Sequence, residues 1–156
     1  MQFHGEYQHR VDPQGRVAIP ARYREEFSGG IYLTRGFDQC IWAFSPEGWE
    51  AYSAKYAAMS PNSFVARTLR RRVFGSTFDL EIDRQGRVVL PQPLRQYAGL
   101  QEEVVIVGAG TWLELWDRGR WEEMITEIDG ADPDFADPSE TPSISAASET
   151  PGEAEA

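Results

Sequence analysis

Two matched pairs of charged residues are the groups in this sequence best suited to chemistry: Asp12 with Arg16, and Asp83 with Arg87. A glycine stands immediately before each arginine. At the start of a tight turn, an aspartate accepts backbone N–H bonds, and glycine supplies the positive φ that such a turn needs. An arginine after the turn can hold phosphate or guanine through two parallel hydrogen bonds. Most turns of this kind only close a hairpin, so turn closure and ligand binding are both open interpretations.

The two pairs belong to a longer internal repeat. Residues 12–24 read DPQGRVAIPARYR and residues 83–95 read DRQGRVVLPQPLR, and seven of these thirteen positions are identical. At the same offset Phe3 aligns with Phe74, and after one inserted residue Trp49 aligns with Trp121. A repeat of this length is one folding unit that has been copied. A chain seldom needs one catalytic site twice, whereas surfaces that bind a repetitive partner are often duplicated.

Each copy predicts the same order of elements: strand, turn, strand, short helix, strand, strand and helix. The predicted strands cover 5–11, 16–19, 31–34 and 40–44 in the first copy, and 77–82, 87–90, 104–107 and 113–115 in the second. Pro20 and Pro91 suit the first position of the short helices, and Ser45 and Asp117 are N-cap signals for the longer ones. We expect the strands that flank each turn to pair as a ribbon with its arginine exposed at the tip. Such a ribbon is narrow enough to enter a DNA major groove.

An arginine-rich segment lies between the copies. Ser60-Pro61 predicts the start of a helix that runs to about Arg72, with Val65, Leu69 and Val73 on one face. Its basic cluster consists of Arg67, Arg70, Arg71 and Arg72. These arginines could contact DNA phosphates or acidic groups of neighbouring subunits, and the sequence favours neither.

Charge is distributed unevenly along the chain. The formal net charge is −10, but residues 129–156 hold eight acidic residues and no lysine or arginine. That segment has too few large apolar residues to bury, so we expect a disordered acidic tail. Residues 1–128 are nearly neutral, and Lys55 is the only lysine among the 15 basic residues of the chain. Each repeat is small enough to need a partner for its core, either its sister repeat or another subunit. Together with the nearly neutral body, whose weak DNA contacts need multiplication, this predicts an oligomer.

Several function classes find no support in the sequence. Cys40 is the only cysteine, which excludes internal disulfides and a cysteine-based metal cluster. His4 and His9 have no metal-ligand spacing, and no catalytic combination of serine, histidine and acid is present. No apolar run follows Met1 and no stretch is long enough to span a membrane. We therefore expect a cytoplasmic protein that is not an enzyme, with no cofactor, no metal and no small-molecule substrate.

The tandem motif D-x-x-G-R-[VI]-x-[LI]-P-x-x-[LY]-R resembles the MraZ family, which carries two SpoVT-AbrB domains in each chain. The resemblance covers about residues 3–128 and places the repeats at 1–58 and 75–128, with a linker helix at 59–74; the acidic tail at 129–156 lies outside it. It implies a mainly β fold with peripheral helices: a double-split, swapped-hairpin, AbrB-like β-barrel built from two tandem βαβ-type repeats. It also implies a ring of subunits.

The resemblance further implies binding to double-stranded DNA at short direct repeats, in promoters of the division and cell-wall gene cluster, including the protein's own promoter. The family signature falls on Asp12 and Arg16 and on Asp83 and Arg87. Arg84 replaces Pro13 in the second turn and adds a positive charge there. We therefore expect Arg16, Arg87 and Arg84 to bind DNA, while Asp12, Gly15, Asp83 and Gly86 shape the turns. The hypothesis is a nucleoid-associated transcriptional regulator; the alternative is a non-enzymatic, antitoxin-like or scaffold module that binds protein.

Overall fold

A computed structural model describes residues 1–131 of the chain; the predicted acidic tail lies outside the described residues from residue 132 onward. Residues Met1–Trp121 form one compact unit, and a second unit begins at Glu122. The described strands are β1 Glu6–Arg10, β2 Arg16–Ala18, β3 Ile31–Arg35, β4 Ile41–Phe44, β5 Phe78–Leu80, β6 Arg87–Val89, β7 Glu103–Gly108 and β8 Leu113–Asp117. The helices are a 3₁₀ helix at Ala21–Phe27, α1 Pro46–Ala57, α2 Phe64–Gly75, α3 Gln92–Ala98 and α4 Arg118–Asp129.

Both repeats contribute three strands to a six-stranded sheet of order β1-β7-β8-β4-β3-β5. All of its neighbouring strands are antiparallel. The first strand of each repeat pairs with a strand of the other repeat: β1 pairs with β7, and its counterpart β5 pairs with β3. The middle pair, β4 with β8, joins equivalent strands of the two repeats. The strand order is therefore symmetric about its centre, and each repeat supplies an edge strand to the other.

The second sheet has two strands, β2 and β6, one from each repeat. Val17 lies opposite Val88, and both side chains are fully buried. This arrangement corrects the expectation that the strands flanking each turn pair with each other along a ribbon. Pairing β2 with β6 places both valines on one buried face, because side chains alternate across a strand. The ribbon exists, but it joins the two repeats instead of lying within one.

One apolar core serves both repeats. It joins Ile19, Phe27 and Leu33 of the first copy to Leu94 and Ile106 of the second, and each of these side chains is almost completely buried. A domain of about 60 residues buries too little surface to be more than marginally stable by itself. Sharing one core removes that limit within a single chain, as the small size of each repeat predicts.

Ser45 and Asp117 precede α1 and α4 as predicted, whereas Pro20 and Pro91, expected as the first helical residues, lie one position earlier as N-caps. The Ser45 hydroxyl accepts a hydrogen bond from Gly48 N at 3.1 Å, so the cap of α1 is confirmed. The start of α2 at Ser60-Pro61 is wrong: Ser63 caps that helix, accepting from Ala66 N at 3.2 Å. The Ser60 hydroxyl instead accepts from Asn62 N, a local turn that competes with helix formation. Of the three residues predicted on one face of this helix, Val73 is buried, whereas Val65 in the first turn is 66% exposed.

The fold is mainly β, with antiparallel sheets and helices, as the sequence predicts. The described strands form one sheet of six and one of two, and closure into a swapped-hairpin barrel stays a prediction. Among residues 1–131, no helix is long and apolar enough to cross a membrane.

Candidate nucleic-acid interface

The first turn, residues Asp12–Arg16, is held by one carboxylate; we call this segment the first tip. Asp12 Oδ1 accepts hydrogen bonds from Gln14 N and Arg16 N, both at 2.9 Å. Asp12 Oδ2 accepts from Arg16 Nε at 2.7 Å. The backbone closes the same turn, because Asp12 N donates to Arg16 O and Gly15 N donates to Asp12 O. Gly15 has a φ of 81°, which few other residues adopt without strain.

The second turn, residues Asp83–Arg87, is the second tip and repeats this pattern. Asp83 Oδ1 accepts from Gln85 N and Arg87 N at 2.9 Å, and Asp83 Oδ2 accepts from Arg87 Nε at 2.9 Å. Gly86 takes a φ of 77°. The two copies of the sequence motif therefore build one local structure twice.

Both carboxylates are stabilised in their charged form. Hydrogen bonds from the backbone N–H of Arg16 hold the pKa of Asp12 below its ordinary value, with smaller contributions from the Arg16 side chain and Gln14 N. The backbone N–H of Arg87 is likewise the largest cause of the lowered pKa of Asp83. A carboxylate that accepts several N–H bonds is harder to protonate. The tips keep their ion pairs at any pH near neutrality.

The tip arginines are less exposed to solvent than the sequence predicts. The Arg16 side chain is 27% exposed and that of Arg87 is 29% exposed, and each Nε is bound to its aspartate. The expectation of freely projecting, exposed arginines is therefore wrong. Arg16 Nη2 also donates to Gln14 Oε1. Within residues 1–131, Arg16 Nη1 and both terminal nitrogens of Arg87 have no hydrogen-bond partner.

The two arginines share the outer face of the β2–β6 pair, which we call the ribbon face. Arg16 lies opposite Val89, and Ala18 lies opposite Arg87. These four residues alternate with the buried Val17 and Val88, so they face away from the core. One narrow antiparallel ribbon thus presents two guanidinium groups, each fixed by a carboxylate.

Each tip also contacts an arginine of the other repeat. Arg24 lies so close to Gly86 that a methyl group on that glycine would overlap its guanidinium, and Arg24 Nε donates to Ile19 O at 3.0 Å. Arg95 lies beside Gly15, and its buried Nε has no hydrogen-bond partner within residues 1–131. Backbone bonds complete the exchange, since Ile19 N donates to Gly86 O and Leu90 N donates to Gly15 O.

Sequence reasoning did not assign Arg24 and Arg95 to the site. The signal was present, because they are the last identical position of the repeated motif. Their placement depends on the exchange of strands between repeats, which the spacing of residues within one copy does not reveal.

The remaining predicted site residues lie at the second tip and in α2. Arg84 is exposed at the second tip, while Pro13 holds the same position in the first. In α2, Arg70 Nη1 donates to Tyr56 O and Ala57 O at the end of α1, and Arg72 Nη2 donates to Gly36 O. Contact of the α2 cluster with phosphates or subunits stays a prediction.

Arg67 donates to Pro61 O at 2.8 Å, whereas Arg71 is exposed and has no hydrogen-bond or ion-pair partner in the part of the chain that the structure describes. No group of three or more histidine, cysteine or acidic side chains within residues 1–131 could hold a metal ion.

Fold and site together define a class of protein: a mainly β chain of two tandem repeats that exchange strands and bring their turn motifs together at one ribbon. The chain belongs to the MraZ family. The model of that family, described as "MraZ protein, putative antitoxin-like", matches residues 2–72 and again residues 73–142.

Individual relatives agree with this assignment. The chain is 42% identical over 120 residues to a "Transcriptional regulator MraZ" of Acetivibrio thermocellus, an alignment that covers 77% of this chain and 84% of the relative. It is 42% identical over 125 residues to the protein of the same name from Moorella thermoacetica, covering 80% and 87% of the two chains. The relative from Herpetosiphon aurantiacus is 39% identical over 135 residues, covering 86% and 94%.

Proposed function

We propose that this protein is a DNA-binding transcriptional regulator that contacts double-stranded DNA through the ribbon face and the two tips. The observation that carries the proposal is the pair of carboxylate-held arginines, Arg16 and Arg87, on one two-stranded ribbon. The name "transcriptional regulator" borne by its relatives supports the same role.

The geometry suits recognition of bases or phosphates. A two-stranded β-ribbon fits the major groove, where an arginine binds guanine O6 and N7 through two hydrogen bonds. Asp12 and Asp83 occupy the Nε of each arginine and fix its orientation. The conformational entropy of the side chain is then lost on folding instead of on binding, which favours affinity. Arg84, Arg24 and Arg95 add positive charge beside the tips.

One chain alone is a weak DNA-binding protein, because residues 1–128 are nearly neutral and phosphate neutralisation dominates affinity. We propose an oligomer, in the form of a ring, that places several ribbons on successive short direct repeats. Linked weak contacts raise overall affinity by orders of magnitude. Within each chain the two sheets form the swapped-hairpin barrel. The sites lie in promoters of the division and cell-wall gene cluster, and the protein acts in the cytoplasm at the nucleoid.

The test is fluorescence anisotropy of the purified protein on duplexes tiled across its own upstream region. Arg16→Ala should weaken specific binding by about 1–3 kcal/mol for each bidentate contact with a base that it removes. Arg87→Ala should also weaken binding, through the loss of a base or phosphate contact. Lys55→Ala is the matched control, since it removes one positive charge from the exposed face of α1. Equal affinities of the parent, Arg87→Ala and Lys55→Ala proteins would refute the role of the ribbon face.

A protein-interaction module is the second candidate. Phe64 and Val65 at the start of α2 are 69% and 66% exposed, and exposed apolar side chains in contact are typical of protein interfaces. This candidate gains support if no upstream duplex binds while Phe64→Ser changes the sedimentation of the protein.

A further inference from the structure

We infer that the two tips are chemically unequal and that the protein therefore lies on DNA with one fixed polarity. The inference rests on the proposed function and deepens it. The ribbon is pseudo-symmetric, so turning it end over end on a duplex exchanges the first tip for the second. If the tips were equal, both orientations would have the same free energy. Three differences separate them.

The first difference is charge. Position 84 carries an exposed arginine with no ion-pair or hydrogen-bond partner within residues 1–131, whereas the equivalent position 13 carries proline. Both residues occupy the second position of turns that share one hydrogen-bond pattern. The second tip thus holds one more cation than the first on the same backbone.

The second difference is the bracing of the arginines. Arg16 is bound at Nε by Asp12 and at Nη2 by Gln14, which leaves fewer free donors and one orientation. Arg87 is bound at Nε alone, because the Gln85 side chain makes no such bond within the described residues. A braced guanidinium is suited to one geometry of acceptor, and a guanidinium with free terminal nitrogens is suited to phosphate oxygens in several positions.

The third difference is the cross-strand neighbour of each arginine. Val89, opposite Arg16, is 55% exposed, whereas Ala18 faces Arg87. An exposed isopropyl group beside an arginine can contact the methyl group of a thymine next to a guanine. We therefore assign contacts with bases to the half of the ribbon that contains Arg16 and Val89. We assign contacts with phosphates to the half that contains Arg87 and Arg84, and we call this half the phosphate anchor.

The protein should prefer one orientation on DNA because some hydrogen bonds to bases cannot form in the reversed orientation. One bidentate base contact discriminates by about tenfold or more, which fixes the orientation at each site. Every subunit of an oligomer on tandem sites would then point the same way.

A tethered chemical nuclease reports this polarity directly. Pro13→Cys and Gln85→Cys place one reactive thiol at the first or the second tip and leave all the tip arginines intact. Cys40 is fully buried, so an iron–EDTA reagent couples to the new cysteine. Both conjugates are bound to one end-labelled upstream duplex that the parent protein protects. We expect cleavage from position 13 displaced to one side of each protected motif and cleavage from position 85 to the other, in the same sense at every motif.

Superimposed patterns from the two conjugates, with cuts on both sides of each motif, would overturn the polarity while leaving DNA binding intact. Absence of protection by the parent protein would overturn the proposed function and the polarity with it. These failures are therefore distinguishable.

Reciprocal exchange of the tip residues supplies a second measurement. The Pro13→Arg/Arg84→Pro protein should lose or reverse the cleavage polarity, and Arg84→Lys should retain it. In salt titrations, Arg84→Ala should reduce the slope of log affinity against log salt by about 0.9 for each engaged second tip. Pro13→Ala should leave that slope unchanged. Unchanged slopes for both variants would contradict the assignment of the second tip as the phosphate anchor.

Discussion

Replacing each tip glycine by alanine should reveal two separate costs in stability: the backbone strain of the turn and the loss of a contact between the repeats. Gly15 and Gly86 have almost the same backbone conformation, with φ of 81° and 77°. Their surroundings differ. A methyl group on Gly15 would approach only Arg95 Nη1, at 3.1 Å, and the end of a long side chain can move away. A methyl group on Gly86 would overlap the Arg24 guanidinium, which is held by Ile19 O.

The magnitudes follow from these two effects. A residue other than glycine in the left-handed region costs about 1–2 kcal/mol, and both variants should be destabilised by that much. Gly86→Ala must also displace Arg24 and break its hydrogen bond to Ile19 O, which adds roughly 1 kcal/mol. In a chain of this size, that difference should lower the Tm of Gly86→Ala about 2–4 °C below that of Gly15→Ala.

Thermal unfolding followed by tryptophan fluorescence, at one protein concentration for all variants, measures the difference. An Arg24→Ala background supplies the control, because removal of the guanidinium should reduce the cost of Gly86→Ala to that of Gly15→Ala. The cost of Gly15→Ala should not change in that background. Equal Tm values for the two glycine variants, or an unchanged cost of Gly86→Ala without Arg24, would refute the contact of Arg24 with the opposite tip.

Three further predictions concern charge and reactivity. The lowered pKa values of Asp12 and Asp83 give stability that is complete above about pH 4 and is lost as pH falls through their values in the folded protein. The Asp12→Asn/Asp83→Asn protein should therefore show a shallower decline in Tm as the pH falls below about 4, and a decline parallel to that of the parent would be contrary to this account. Burial raises the pKa of the Cys40 thiol, so it should react with a disulfide reagent only after unfolding, and rapid labelling of the native protein would disprove its burial. Deletion of residues 129–156 should tighten binding to random DNA at low salt more than binding to the specific site, because eight acidic residues repel phosphates until salt screens them. Unchanged affinity for random DNA across a salt series would leave that segment without this role.

Local features of the fold could be predicted from the sequence. The alternation of apolar residues and the turn signals located the strands closely, as the match between predicted 16–19 and observed Arg16–Ala18 shows. The proline and cap signals located the short helices and α1. These features depend on neighbours within a few residues, where spacing and propensity carry the information.

Pairing between distant strands could not be predicted from one copy of the motif. Nothing in residues 5–19 distinguishes a hairpin closed on itself from one that gives β1 to β7 and β2 to β6. The choice depends on burying Val17 against Val88, a contact between repeats. For the same reason, sequence analysis did not assign Arg24 and Arg95 to the site. It also predicted a greater exposure of the tip arginines than the structure shows. Only the family resemblance pointed toward exchange.

The position of β1 also imposes an order of events on synthesis. Arg10 pairs with Glu103, a residue 93 positions later in the chain, so β1 leaves the ribosome long before its partner exists. At roughly 5–20 residues per second, the nascent strand waits about 5–20 s with its backbone N–H and C=O groups unpaired. During that interval it can pair with a neighbouring nascent chain of the same kind. Polysomes therefore offer a route to intermolecular strand exchange, and the ordering of the whole core waits for the last third of the chain.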